Sequence, residues 1–130
     1  TITDLAEGTT YMFCVRPYVN TGSQIIWAKT YTALTTSTML PAVTVRVLSS
    51  ATGRATIAWS KTVGATGYQV YYSTSPSGGY KKLSNFTTNS TYQYDLTSGT
   101  TYYYRVRAYR SVGGTYVYGA WSDVVSAKIK

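Results

Sequence analysis

The sequence contains an internal repeat, and this repeat restricts the fold more than any other feature. Residues 4–11 read DLAEGTTY and residues 95–102 read DLTSGTTY, at an offset of 95 − 4 = 91 residues. Further pairs match at the same offset: Val15 with Val106, Arg16 with Arg107, Tyr18 with Tyr109 and Gly22 with Gly113. With three additional residues in the second copy, Trp27 aligns with Trp121. A period near 90 residues is too long for a solenoid unit and fits a whole small domain. We therefore predict a complete unit at 41–130, preceded at 1–38 by the last third of another unit.

Short segments of alternating side chains run through the complete unit. The chain has 15 Tyr residues and is rich in Thr, and such residues favour strands. Breaks that contain glycine separate the segments, and no segment has a sustained helical period. The pattern predicts seven strands, at 43–48, 55–60, 68–73, 80–83, 91–94, 101–110 and 116–129. An all-β chain with this turn density is expected to form an antiparallel β-sandwich.

Strand alternation predicts which side chains face the core of this sandwich. The predicted core comprises Trp59, Tyr68, Val70, Leu96, Tyr102, Tyr104 and Val106. The opposite face of the sixth strand carries Tyr103, Arg105, Arg107 and Tyr109. Because an unpaired charge is costly to bury, we expect this arginine face to contact water.

Three parts of the complete unit resemble the fibronectin type III pattern. They are Trp59, the strand Gly67-Tyr68-Gln69-Val70, and the segment from Leu96 to Tyr102 followed by Val106 and Ala108. The last is similar to that family's tyrosine corner, with Tyr102 as its tyrosine. Ser98 and Gly99 stand where family members often have Pro, as in bacterial members. The resemblance covers 41–130 fully and 1–38 as a fragment. It implies an immunoglobulin-like antiparallel β-sandwich of seven strands, and a spacer or adhesive module of a secreted or cell-surface protein.

The residue inventory argues against catalysis. The chain has no His, which removes the commonest general base and metal ligand. Its four acidic residues include Asp4 and Asp95, which are the same repeat position, and none is spaced like a glycosidase pair. No phosphate-binding glycine loop or metal-ligand cluster is present. We therefore expect no enzymatic activity, no cofactor and no metal.

Aromatic and basic residues alternate on the predicted outer face. This candidate interaction patch consists of Tyr103, Arg105, Arg107, Tyr109 and Arg110, with Lys81 and Lys82 nearby. One interpretation is a surface that binds sugars by stacking or polyanions by charge. The other, which we favour, is cross-strand pairing that stiffens an exposed sheet. The net charge of +8 favours an anionic glycan or wall polymer as partner. No motif accompanies the charge to suggest specific nucleic-acid recognition, and no apolar run suggests membrane insertion.

Residues 1–38 supply only the end of a unit, and a two-stranded ribbon is marginal alone in water. Its inward row of Tyr11, Phe13, Val15 and Pro17 needs a cover. Three alternatives remain open for this cover: strands of another copy, residues upstream, or the flank of the second unit. Cys14 aligns with Arg105, so alternation places it on the outer face, and as the single cysteine it excludes an internal disulfide. Asn85 and Asn89 begin Asn-x-Thr triplets, which arise by chance in a chain so rich in Thr.

The sequence therefore predicts a non-catalytic spacer or adhesion module of a secreted or cell-surface multi-domain protein. Its expected partners are neighbouring modules of the same protein. Two alternatives stay open. One is an accessory module of an extracellular polysaccharide-degrading enzyme, and the other is a fibre subunit that assembles by strand complementation through residues 1–38.

Overall fold

The computed structural model describes all 130 residues, and its regular elements are all β-strands. The first four lie in residues 1–38, the predicted partial unit: β1 (Thr10–Val15), β2 (Tyr18–Asn20), β3 (Ile25–Trp27) and β4 (Thr32–Ser37). The others lie in residues 41–130, the predicted complete unit: β5 (Val45–Ala51), β6 (Arg54–Trp59), β7 (Gly67–Ser73), β8 (Lys81–Phe86), β9 (Ser90–Gln93), β10 (Thr101–Val112), β11 (Thr115–Tyr118) and β12 (Val125–Lys128).

The complete unit is a sandwich of two antiparallel sheets, which confirms the predicted fold class. The smaller sheet has the order β5-β6-β9, and the larger has the order β8-β7-β10-β11. β12 pairs with the first part of β10, on the side where β11 pairs with its last part. The seventh predicted strand is therefore divided into β11 and β12, because the chain leaves the ladder between Gly119 and Val124.

The core lies between the two sheets. β6 has a strict alternation in which Ala55, Ile57 and Trp59 are buried. The ring of Trp59 lies 5.7 Å from that of Tyr68 and 5.8 Å from that of Phe86. Six of the predicted core residues are at most 8% exposed: Trp59, Tyr68, Val70, Leu96, Tyr104 and Val106. Tyr102 is instead half-buried, because it lies at the rim of the sandwich where the chain turns into β10.

The repeat of the sequence is also a repeat of backbone geometry. Asp4 and Asp95 have left-handed φ values of 60° and 57°. In the complete unit, the backbone N–H of Thr97 donates to the hydroxyl of Tyr102 at 3.3 Å. In the partial unit, the N–H of Ala6 donates to the hydroxyl of Tyr11 at 2.9 Å. The tyrosine corner therefore forms in both copies.

The strand register corrects one detail of the predicted alignment. Tyr18 pairs with Trp27, and Tyr109 pairs with Tyr118. These pairs share the offset of 109 − 18 = 118 − 27 = 91, so Trp27 corresponds to Tyr118. The three-residue insertion that placed Trp27 on Trp121 is wrong, since it matched the largest aromatic residues and not the hydrogen-bonded positions.

The partial unit is two open ribbons, one of β1 with β4 and one of β2 with β3. Pro17 separates β1 from β2 and lacks an N–H for the ladder, whereas the equivalent Ala108 lies within the continuous β10. The predicted inward row has no facing sheet. Tyr11 and Phe13 are half-buried and Val15 is 71% exposed.

Candidate functional site

The candidate site lies on the outer face of the larger sheet, where two arginines of β10 project side by side. Arg105 pairs with Tyr71 of β7 and Arg107 pairs with Gln69. Because neighbouring strands present paired residues on the same face, the strand pairing places an aromatic ring and an amide beside the two guanidinium groups.

The two guanidinium groups alternate with three aromatic rings in one continuous layer. The guanidinium carbon of Arg105 lies 4.3 Å from the ring centre of Tyr80 and 4.2 Å from that of Trp121. The guanidinium carbon of Arg107 lies 4.5 Å from the ring centre of Trp121 and 3.7 Å from that of Tyr118. We refer to Tyr80, Arg105, Trp121, Arg107 and Tyr118 as the arginine stack.

Trp121 lies at the centre of the arginine stack because its neighbour Ser122 is hydrogen-bonded to β10. The backbone N–H of Ser122 donates to the carbonyl of Val106 at 2.8 Å. The N–H of Val106 donates to the Ser122 hydroxyl at 3.0 Å. The indole also meets the Tyr71 ring edge-on at 5.1 Å. These contacts fix the indole between the two arginines.

The two arginines differ in their hydrogen bonds. Nε and Nη2 of Arg107 both donate to Oε1 of Gln69, at 3.0 and 2.9 Å. Gln69 is only 4% exposed. Nε of Arg105 is buried and has no hydrogen-bond acceptor among the protein groups. Aromatic faces attract desolvated guanidinium groups by up to about 2 kcal/mol each. The rings therefore offset part of the cost of removing these charges from water.

Tyr109 does not lie on open surface, and the prediction that it does is wrong. It is 6% exposed, with the ring of Tyr116 at 4.5 Å and that of Tyr118 at 6.5 Å. Its phenol also covers Gly67, where an added Cβ would lie 2.5 Å from the tyrosine hydroxyl oxygen. The missing side chain of Gly67 thus makes room for the ring. Burial, followed by the neighbouring Tyr116 and Tyr118, raises the pKa of Tyr109.

The outer face that carries the arginines is less exposed to solvent than predicted. Tyr103, Arg105, Arg107 and Arg110 are all half-buried. Nε and Nη2 of Arg110 are buried and have no acceptor among the protein groups. The freely exposed charges nearby belong to Lys81 and Lys82. Arg105 and Arg107 lie on the outer face but are only partly exposed to solvent, because aromatic side chains of neighbouring segments lie against their guanidinium groups.

Sequence reasoning missed the aromatic members of the stack and also a second surface. Tyr80, Tyr118 and Trp121 lie outside β10, and no spacing along one strand could link them to its arginines. On the outer face of the smaller sheet, Tyr92 and Tyr94 are 53% and 59% exposed, with ring centres 6.1 Å apart. The guanidinium carbon of Arg54 lies 5.0 Å from the ring centre of Tyr92. The Tyr-x-Tyr spacing around an inward Gln93 was a signal for this pair.

All four carboxylates, those of Asp4, Glu7, Asp95 and Asp123, are exposed. The hydroxyl of buried Tyr104 donates to Oε1 of Gln93 at 2.9 Å. Burial, with smaller effects of Tyr102 and Tyr72, raises the pKa of Tyr104.

No group of three or more His, Cys, Asp or Glu side chains is arranged to hold a metal ion. The structure contains no helix with the length and apolar character that a membrane crossing requires. Cys14 is exposed, on the outer face where alternation places it.

Comparison with solved structures identifies the fold. The sixth fibronectin type III domain of human fibronectin type III domain containing protein 3 superposes with a TM-score of 0.61 at 22% identity, covering 72% of this chain and 89% of that domain. An Fn3-like protein from Clostridium thermocellum superposes with a TM-score of 0.57 at 25% identity, covering 70% of this chain and 92% of that one. The chain therefore has the fibronectin type III fold.

Comparison by sequence is more limited. No family model matches the chain. An amylopullulanase of Thermoanaerobacterium saccharolyticum is 34% identical over 68 residues, which is 52% of this chain. The chain spans only 5% of that enzyme's length. Together with the fold, this match suggests an accessory module.

Proposed function

We propose that this chain is a non-catalytic accessory module that spaces and connects domains of an extracellular multi-domain protein acting on polysaccharide. The observation that carries this proposal is the path of the chain, which enters and leaves the sandwich at opposite ends. A module with this path extends a polypeptide in one direction, as a spacer must.

The two ends are identified by their contacts. The chain enters at Leu40, whose carbonyl accepts from the N–H of Ala120 at 3.2 Å, close to the end of β11. It leaves at Lys130, whose carbonyl accepts from the N–H of Gly53 at 3.0 Å, at the turn between β5 and β6. β10 runs from the second end to the first. Its residues 101 to 109 span 109 − 101 = 8 steps, or about 26 Å at roughly 3.3 Å per residue.

One likeness supports the polysaccharide context, since the matched enzyme is named an amylopullulanase. The exposed carboxylates and the lack of His support a role without catalysis. The reacting groups of such a protein would then lie in another domain.

For residues 1–38 we propose the role of terminal strands of a preceding module, completed by residues upstream of Thr1. In the complete unit, Tyr104 and Val106 are covered by the facing sheet β5-β6-β9 and are 0% exposed. The equivalent residues Phe13 and Val15 have no facing sheet, and strands of the preceding module would supply one.

A second candidate function is direct contact with a polysaccharide through Tyr92 and Tyr94. Exposed aromatic faces can stack on sugars, and the neighbouring Arg54 supplies hydrogen-bond donors. This surface suits a glycan better than the arginine stack does, since Tyr92 and Tyr94 are 53% and 59% exposed, whereas the aromatic residues of the stack are half-buried.

Native electrophoresis in gels containing soluble starch or pullulan separates the two candidates. A spacer migrates equally with and without polysaccharide. Retardation that is lost in a Tyr92→Ala/Tyr94→Ala variant and kept in Tyr116→Ala, an exposed tyrosine elsewhere, would establish the glycan-contact role. Release of reducing sugar from either polymer by the purified chain would overturn the non-catalytic assignment.

A further inference from the structure

The partial unit meets the complete sandwich at a closely packed joint formed by Gly8, Leu40, Val63 and Gly64. A Cβ at Gly8 would lie 2.5 Å from Cδ2 of Leu40 and 3.1 Å from the carbonyl oxygen of Val63. A Cβ at Gly64 would lie 2.8 Å from the carbonyl oxygen of Gly8. Leu40 is 1% exposed, and the N–H of Gly8 donates to the carbonyl of Met39 at 3.3 Å. Only residues without a side chain allow this approach.

The turn that provides Gly8 is repeated at the far end of the complete unit. Gly99 occupies the equivalent position, since 99 − 8 = 91, and its φ of 79° is left-handed like the 61° of Gly8. Asp4 and Asp95 begin the two turns with φ values of 60° and 57°. A Cβ at Gly99 would meet no atom within 4 Å. The surface that receives Leu40 at the first turn is thus open at the second.

We propose that the Gly99 turn is the docking surface for a following module of the same kind, whose equivalents of Leu40 and Gly64 pack against it. The inference rests on the proposed function as a module in a series. The expected partner of the Gly99 turn is inferred from the joint at Gly8, where Leu40 and Gly64 pack against the equivalent turn. Lys130 is equivalent to Met39 at the 91-residue offset, so the leucine of a module joined directly after Lys130 is the sequence equivalent of Leu40.

The joint also predicts how successive modules are oriented. Leu40 precedes Pro41, which restricts the leucine to extended backbone, and its side chain is buried between Gly8 and Gly119. The connection between the two modules contains no residue without packing contacts, and glycines lie on both sides of it. The modules therefore have little freedom to rotate relative to each other. Each added module should therefore repeat the orientation of the one before it, giving a rigid array and not a flexible chain of beads.

The test uses the full chain with a second copy of residues 40–130 joined after Lys130. Residual dipolar couplings of the two sandwiches report whether they move as one body. We expect one common alignment tensor for both. Gly99→Ala should give two different tensors, because the added methyl separates the modules. Gly64→Ala in the appended copy should do the same from the other side of the joint.

Gly22→Ala is the matched control. Gly22 has a left-handed φ of 85° and open space around it, so its substitution imposes the same backbone strain away from the joint. This variant should keep the common tensor. Two independent tensors in the unsubstituted tandem, or a common tensor that survives both joint substitutions, would overturn the docking proposal. Small-angle scattering distinguishes that failure from failure of the spacer function: an extended tandem with independent tensors retains the spacer role, whereas a folded-back tandem refutes it.

Discussion

The two copies of the repeat have the same turns and very different burial. The tyrosine-corner hydrogen bond forms in both, at Tyr11 and at Tyr102. Yet Val106 is 0% exposed, whereas the equivalent Val15 is 71% exposed. The left-handed turn and the ribbon register depend on residues close in sequence. Burial depends on strands β5 to β9, which only the complete unit has.

The arginine stack shows the same dependence on neighbouring strands. Arg16, the equivalent of Arg107, lies 5.8 Å from the ring centre of Trp27, and its Nε donates to the carbonyl of Ala28 at 2.7 Å. Arg107 instead lies between two rings and donates twice to Gln69 of β7. One cation–ring contact forms within a local hairpin, while the full stack requires β7 and the segment that carries Trp121.

The largest expected difference between the copies is in the core. Tyr104→Ala should lower the free energy of unfolding by about 3–5 kcal/mol, because it leaves a large cavity between the sheets. Phe13→Ala, at the equivalent position 104 − 13 = 91 residues earlier, should change it little, since no sheet covers that ring. Urea denaturation followed by tryptophan fluorescence measures both. Equal losses would show that the ribbon of residues 1–38 is part of the same core.

The next largest effect is expected in the arginine stack. Arg107→Ala should cost about 2–3 kcal/mol, because it removes a charged hydrogen-bond pair and leaves the buried Oε1 of Gln69 without its donor. Arg107→Lys should recover only part of this loss, since an ammonium group cannot donate from two fixed positions or stack as a plane. Arg16→Ala should have a much smaller effect on the same denaturation curve. Full recovery by lysine would mean that charge alone, and not the stack, stabilises this face.

A third comparison uses the pH dependence of stability. Burial raises the pKa of Tyr104 above the ordinary tyrosine value of about 10. The folded state therefore holds this proton more tightly than the unfolded state does. The resulting stabilisation is fully present below about pH 10 and is lost as the pH rises further. Tyr104→Phe should lower stability by about 1–2 kcal/mol near neutral pH, where it leaves Gln93 unpaired.

The same variant should also make the alkaline decrease shallower. Thermal unfolding between about pH 8 and about pH 11 checks this, with Tyr92→Phe, which removes an exposed hydroxyl, as the control. An alkaline decrease that is identical in the original chain and in Tyr104→Phe would contradict the assignment.

The features that sequence reasoning predicted correctly depend on local periodicity or on the repeat. Alternation along β6 identified Trp59 as inward, and the DLxxGTTY segments identified both corners. Alternation of side chains along β10 also distinguished its inward face from its outward face. It could not show that Trp121, from another segment, lies between Arg105 and Arg107, because that contact depends on the fold as a whole. The burial of Tyr109 over Gly67 was missed for the same reason, since a glycine on a neighbouring strand created the space.

The smallest expected effect tests whether the two corners are energetically equal. Tyr102→Phe removes the hydroxyl that accepts the N–H of Thr97, and should cost about 1 kcal/mol. Tyr11→Phe removes the same bond to Ala6, which is shorter at 2.9 Å. Because the partial unit has no covered core to lose, this second change should leave the main unfolding transition unaffected. Its effect should instead appear in hydrogen exchange, as faster exchange of the Ala6 amide. If Tyr11→Phe also shifted the main transition by about 1 kcal/mol, the corner at Tyr11 would be coupled to the sandwich through the Gly8 joint.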